Sequence, residues 1–599
     1  MTQKILSGRA DDAELKGDLV RVKIDQVILA NEPTRALGEA LRAGLKKAAV
    51  EVAVAYDTRC VTGGPTLDSA QGVPERVSRE ALQTGVLVAR PGIGFPAAVH
   101  LERFGSPARL ALTDEPRLAS VGGIGMLTLV TPPGQLAEAL LQGSVLVRPP
   151  RSVQVLLSGR VRPFVCVRDV ALELIRRGLG DLIRRLDHEH GTPVVVEFTG
   201  PSARLLSVAD RAVLSALAPQ LGASAAVFTS DEKTEVYLRD QRRSKAHRSL
   251  APDPGAPCDD VISVDLSAVD PLIMDEAGAV RAVRELAGQP VTQVILGGDS
   301  GASLRDLLAA AALLKSKRVP PRLDLLVAPP SRQALEVLAQ SGALVDLVAT
   351  GARLLEPDHR VVTGELYPPT PGGISMRTFD PEPGLPRDQR FVVGSAETLA
   401  YAVATGQVGD PRAFKRPVRI TVPRTLPTDD VLIMRKSKSK TKSEADTQRA
   451  PSMTTAPAVP WTRGGALAMV GSLDGLHAPS ALLARQPDDV RQAERRAARL
   501  APNLRAVIAA HIPAGMVPMF AGLGILALTA DDTTLEALAK SASLELSDPE
   551  RWEGQAPIVA SADGKRVELR WLAIGDERRW TLAGGAEPAR VPGKGAAPR

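Results

Sequence analysis

Short runs of β-branched and aliphatic residues alternate along this chain with Ala-, Leu- and Arg-rich stretches of helical period. Residues 50–56, 194–197, 291–296 and 323–327 read as buried strands, while residues 306–315 and 331–340 set leucines and alanines on one helical face. Such alternation predicts an α/β chain with largely parallel sheets and helices on both faces. The texture changes near Pro417. Residues 435–460, RKSKSKTKSEADTQRAPSMTTAPAVP, carry too few apolar positions to offset the entropy of ordering, which predicts a disordered linker. A second α/β piece is expected over residues 461–585, and a loose tail over 586–599.

Composition narrows the class. At 599 residues the chain is too long for one core, so several domains are expected. Aromatic residues make up only 3%, so the core is aliphatic and surfaces for stacking bases are scarce. The net charge of +6 is spread as single arginines, the pattern of a solvated surface. The three cysteines, Cys60, Cys166 and Cys258, are far apart, which argues against a disulfide framework or a thiolate-rich metal site and suits a reducing cytoplasm. The charged N-terminus does not read as a signal peptide. Residues 506–530 lack formal charge and are long enough to span a bilayer, but Pro513, Pro518 and several glycines break them into strand, turn, short helix and strand. A buried αβ unit is expected there, with no membrane contact.

The order of segments carries more information. HLERF (100–104), GGIGML (122–127), EFTGP through LSVADRAVLS (197–215), SDEKTEVYLR (230–239) and VDLSAVDPLI (264–273) follow one another. SLRDLLAAAALLKSKRVPP (303–321), SRQALEVLAQSGALVDLVATGARLLEP (331–357), GGISMRTF (372–379) and TGQVGDPR (405–412) continue the series. Together they resemble the monomeric aconitase-type hydro-lyases of the aconitase and 3-isopropylmalate dehydratase superfamily. The resemblance implies three tandem αβα domains over residues 1–416, a linker over 417–460 and a C-terminal swivel domain over 461–585, where RAVIA and GILAL (505–509 and 524–528) match two strands around a helix.

Chemistry in that family depends on a 4Fe–4S cluster, whose fourth iron binds substrate as a Lewis acid. The family's first cysteine ligand falls on Asp299 in LGGDSGAS (296–303), and the other two fall on His359 and Val362 in PDHRVVTGE (357–365). Valine cannot ligate iron, so no cluster is expected. The other motifs are lost as well. The Asp-His pair reads Asp57-Thr58, Cys-His-Gln reads Pro96-Ala97-Ala98, and Asp-Ser-His reads Glu115-Pro116-Arg117. The buried Asn and Glu become Ala216 and Gln220, and the carboxylate-gripping Asn-Arg-Asn-Phe aligns with Asp380-Pro381-Glu382-Pro383. The swivel motif Gly-Ser-Ser-Arg-Glu-His aligns with Asp489-Val490-Arg491-Gln492-Ala493-Glu494, in a segment without serine.

The charged groups left in the old cleft are Asp57, Glu115, Arg117, Asp299 and His359. Groups that act as a unit leave little catalysis when removed together. The expectation is a cluster-less pseudoenzyme with a binding or regulatory role, partnered by a small carboxylate metabolite or an active paralogue. A divergent hydro-lyase or isomerase acting on a di- or tricarboxylate, and an RNA-binding protein, are the alternatives. The basic runs at 242–248 and 435–442 would serve the last. GGDSGAS is expected to be a vestigial active-site turn, with an anion cradle as the alternative. DHEH (187–190) is expected to be an exposed loop rather than a zinc site.

Overall fold

A computed structural model describes the chain except for residues 58–60, 62–76, 78, 382–390, 429–430, 436–458, 502, 553–555 and 586–599. Most of the expected linker and all of the expected tail therefore lie outside the described residues. The pattern-derived elements are present with small shifts. The strands are Val52–Tyr56, Val194–Thr199, Val291–Gly297 and Asp324–Ala328, and the helices are Leu304–Leu314 and Arg332–Gln340.

Among the described residues four larger sheets organise the protein, beside an antiparallel pair of Val20–Lys23 with Ser144–Val147. The first has the order Ile433–Met434, Leu87–Ala89, Val52–Tyr56, Gln26–Leu29, Leu110–Thr113, Leu127–Val130. It is parallel except for Ile433–Met434 at its edge. The second has four parallel strands, Ala225–Phe228, Val194–Thr199, Arg151–Ser158 and Asp260–Asp265. The third has seven, and its parallel part runs Val392–Gly394, Ile374–Arg377, Val291–Gly297, Asp324–Ala328, Arg353–Leu354. The fourth closes into a barrel from Ala466–Val470 to Lys565–Trp571. Within the barrel, residues 506–530 form a strand, a short helix Val517–Ala521 and a second strand Leu526–Thr529, as their helix breakers require. No helix among the described residues is long and apolar enough to cross a membrane.

Parallel strands buried on both faces read as unbroken apolar runs, which is why Gln26–Leu29 and Ala225–Phe228 are wholly buried. Close backbone approach explains the glycines of GGIGML. A β-carbon on Gly122 would stand 1.9 Å from the carbonyl oxygen of Ala226, and one on Gly123 would stand 2.4 Å from the amide nitrogen of Ala212.

The order of strands also locates two crevices. In the first sheet the chain steps outward from Gln26–Leu29 through Val52–Tyr56 to Leu87–Ala89, then restarts on the other side at Leu110–Thr113. In the third it steps from Val291–Gly297 outward and restarts at Ile374–Arg377. Such reversals open a crevice at the carboxyl ends of the strands, the usual place for a ligand in open α/β sheets.

Candidate functional site

The residues singled out in the sequence lie at these two crevices. Glu115 and Arg117 follow Leu110–Thr113, where the Asp114 carboxylate accepts the amides of Ala30, Asn31 and Glu32 at 2.8, 2.9 and 2.7 Å and pins the neighbouring strand end. Asp57 ends the adjacent strand, and its carboxylate accepts the amide of Val77 at 2.6 Å. Asp299 follows Val291–Gly297, and Asp380 follows Ile374–Arg377. The Thr378 hydroxyl ties the second crevice shut, accepting from the Gly297 amide at 2.9 Å and donating to the Gly297 carbonyl at 2.8 Å.

Arg117 joins the two crevices. Its guanidinium donates to the backbone carbonyls of Asp299 and Asp380, both at 3.2 Å, while its amide donates to the Glu115 carboxylate at 3.1 Å. Arg168 adds a second cation, 2.7 Å from the Asp380 carboxylate and donating to the carbonyls of Ser300 and Gly301. The turn GGDSGAS thus presents carbonyl oxygens to guanidinium groups, the reverse of the amide cradle that an anion needs. Burial pushes the Asp380 carboxyl up, but Arg168, Gln220 and Arg117 outweigh it and hold the group below its usual range.

His359 opens the helix His359–Thr363, capped by Asp358, whose side chain accepts the Arg360 amide at 3.0 Å. Val362 in the same helix is fully buried, packed in an apolar cluster with Phe95, Leu355, Phe379 and Phe391. Glu115, Asp299 and His359 are each less than 5% exposed. The structure therefore brings Glu115, Arg117, Asp299 and His359 to one place. Asp57 lies at the same end of the first sheet.

Two further charged side chains belong to this place. Arg495 projects from helix Pro487–Leu500, which packs on the barrel strands, into this place. Its guanidinium lies 3.4 Å from the Glu115 carboxylate and 3.5 Å from the His359 Nε2. Arg491 in the same helix donates to the Gln220 carbonyl at 2.9 Å. The aligned positions 489–494 thus sit within two turns of the residue that reaches the site. Glu494 is buried beside it, and burial, reinforced by Glu115 and opposed by Arg495 and Arg491, lifts its carboxyl to about 7. The only signal in the sequence was charge at positions 491, 494 and 495, interrupting a helix face otherwise set by Val490, Ala493, Ala497 and Ala498.

The second is Arg377. Met376-Arg377-Thr378-Phe379 matches the Arg and Phe spacing of Asn-Arg-Asn-Phe better than residues 380–383 do. Arg377 is fully buried. It donates to Gln293 Oε1 at 3.1 Å and to the carbonyls of Val361 and Tyr367, and it lies 4.2 Å from the centre of the Phe391 ring. Burial lowers its basicity to about 9.

Two further expectations change. DHEH is the last turn of helix Leu179–His190 rather than a loop, because Gly191 at φ +62° ends the helix only after His190. Asp187 is buried there and accepts the Ala514 amide at 2.7 Å. In the basic run 242–248, Arg243 donates to the carbonyls of Leu101, Glu102 and Gly105, so this cation caps a helix end instead of offering itself to phosphate.

Residues 78–279 match the aconitase family (aconitate hydratase). A 3-isopropylmalate dehydratase large subunit of Deinococcus radiodurans is 31% identical over 365 residues, covering 60% of this chain and 80% of that protein. The chain belongs to the aconitase and 3-isopropylmalate dehydratase superfamily. A large subunit of the same name from Archaeoglobus fulgidus is 29% identical over 433 residues, covering 69% of this chain and 99% of that protein. The homoaconitase large subunit of Thermus thermophilus is 27% identical over 416 residues, covering 67% of this chain and 95% of that protein.

Proposed function

We propose that this member of the superfamily does not perform cluster-dependent dehydration and acts as a binding or regulatory protein for a carboxylate metabolite or an active relative. The side chains that meet at the two switch points carry this reading. Arg117 spans the two switch points, Arg495 enters from the C-terminal domain between Glu115 and His359, and Val362 turns a ligand position into apolar core. The donors at the former ligand positions, one carboxylate and one imidazole, do not fit a cluster that needs three thiolates. Cys166 is engaged in a helix cap elsewhere, accepting the Arg168 amide at 3.4 Å, and Cys258 is exposed.

We read the chain as three αβα domains over 1–416, a connecting segment to 460, a swivel domain over 461–585 and a tail. The relatives' names speak of a large subunit, which implies a smaller companion in those proteins. Here the C-terminal domain takes the companion's position within one chain, supported by its helix at the crevice. A hydro-lyase acting on a carboxylate is the second reading. It is favoured by the relatives' names and by Arg377, a retained guanidinium beside the old ligand helix.

Anaerobic reconstitution with iron and sulfide, followed by iron and sulfide counts and assays with citrate, isocitrate and isopropylmalate, tests the proposal. The expected result is no stoichiometric cluster and no turnover. A brown chromophore with about four irons per chain, or turnover of any of the three, would refute it.

A further inference from the structure

Away from the crevice, four helices begin close together, three of them at buried N-caps and the fourth at the exposed Ser207. They are Val167–Arg176, Val208–Ser215, Leu304–Leu314 and Ala396–Thr405, with Cys166, Ser207, Ser303 and Ser395 as their N-caps. Their first turns bring in Asp169, Asp210, Asp306 and Glu397. The Cys166 sulfur and one carboxylate oxygen each from Asp306 and Glu397 lie within 4.8 Å of one another, and all three residues are buried.

Most of the polar atoms here are accounted for. Asp169 accepts the amides of Cys166 and Leu272, both at 2.9 Å. Asp210 accepts the Ser207 hydroxyl at 2.7 Å. One oxygen of Asp306 accepts from the amide and the hydroxyl of Ser303. Two atoms are not accounted for. Oδ1 of Asp306 and Oε2 of Glu397 have no hydrogen-bond partner, although these residues are only 3% and 7% exposed. The nearest cation, Arg305, stands 4.0 Å from Asp306 Oδ1 with its side chain 45% exposed.

The charges do not balance. Four helix N-termini supply about +0.5 each and Arg305 supplies one more, giving roughly +3. Four carboxylates give −4, and the Cys166 thiol, which burial and the neighbouring carboxylates keep protonated, adds nothing. A buried group with that deficit takes up protons or a cation. One sulfur and two carboxylate oxygens at this spacing suit a borderline divalent ion in tetrahedral coordination, with water as the fourth ligand.

We propose that Cys166, Asp306 and Glu397 form a structural binding site for a divalent transition-metal ion of the zinc class. The ion would join the four-stranded and seven-stranded sheet units through the starts of three helices. Binding displaces the Cys166 thiol proton, which leaves to solvent. The site is independent of whether the crevice is catalytic.

The full-length chain, purified anaerobically with reductant, is loaded with Co²⁺ and dialysed. One retained ion per chain with a thiolate-to-cobalt charge-transfer band is expected. Cys166→Ser should abolish the band, and Glu397→Gln should keep the fold by circular dichroism while weakening Co²⁺ binding by about 10- to 100-fold. Failure to retain cobalt, or a band that persists in Cys166→Ser, overturns the proposal. Should Cys166→Ser fail to fold, wild-type affinity in Glu397→Gln overturns it equally.

Discussion

Replacing Arg148 with Met should loosen the barrel segment that carries Glu577. Arg148 donates through Nε to Glu577 at 2.7 Å, pairs with the same carboxylate through Nη2, and donates to the carbonyls of Leu572 at 2.9 Å and Gly191 at 3.2 Å. The two side chains are 2% and 0% exposed, so solvent cannot compensate for the loss of either. Removing the cation leaves the Glu577 carboxylate buried, with the Ile574 amide at 3.1 Å among its remaining donors. Breaking a buried pair in this way costs about 3–5 kcal/mol. Glu577→Leu should cost a similar amount, since it strands the guanidinium. The double variant Arg148→Met/Glu577→Leu should cost much less than the two single changes summed, giving a coupling energy of about 2 kcal/mol or more. The assay is specific because all four tryptophans, Trp461, Trp552, Trp571 and Trp580, lie in the segment that builds the barrel. Tryptophan emission during denaturant unfolding therefore follows that segment, while far-ultraviolet circular dichroism follows the whole chain. A Trp-detected midpoint unchanged in Arg148→Met, or additive single variants, would refute the reasoning.

Glu494 makes stability depend on pH. Its folded value of about 7 lies above the ordinary 4.5, so stability is fully present below pH 4.5 and is lost as pH rises through 7. The full effect is about 3 kcal/mol, and Glu494→Gln should flatten it in unfolding curves taken between pH 5 and 8. Gly122→Ala should destabilise by more than about 3 kcal/mol, because its β-carbon meets a backbone carbonyl, whereas Gly191→Ala, with open space but a left-handed backbone, should cost only about 1 kcal/mol. Thermal unfolding compares the two. Arg495→Ala should loosen the helix 487–500 against the core, read as faster amide hydrogen exchange there than in the strand Leu504–Ala509; unchanged exchange would mean that Arg495 does not anchor it.

The framework was legible because buried parallel strands must be apolar and helices must carry a periodic face. Residues 506–530 were legible through their prolines. Contacts set by tertiary packing were not legible. Nothing local distinguishes Arg495 from Arg496 or Arg499 until the helix is docked against Glu115. Arg377 lies in a strand, and only the packing of Phe379 and Phe391 around its guanidinium sets it apart from framework. DHEH looked like a loop because its polar residues face solvent on a helix, while Asp187 faces inward.

The buried pair at Arg148 and the reach of Arg495 have a consequence for how this assembly comes apart. Two bodies carried on one chain meet at an effective concentration near the millimolar range, so their seam can be held by contacts too weak to unite separate proteins. A protease cut between the core and the barrel would convert that encounter into a concentration-dependent one. The two fragments should stay paired in concentrated solution and drift apart on dilution.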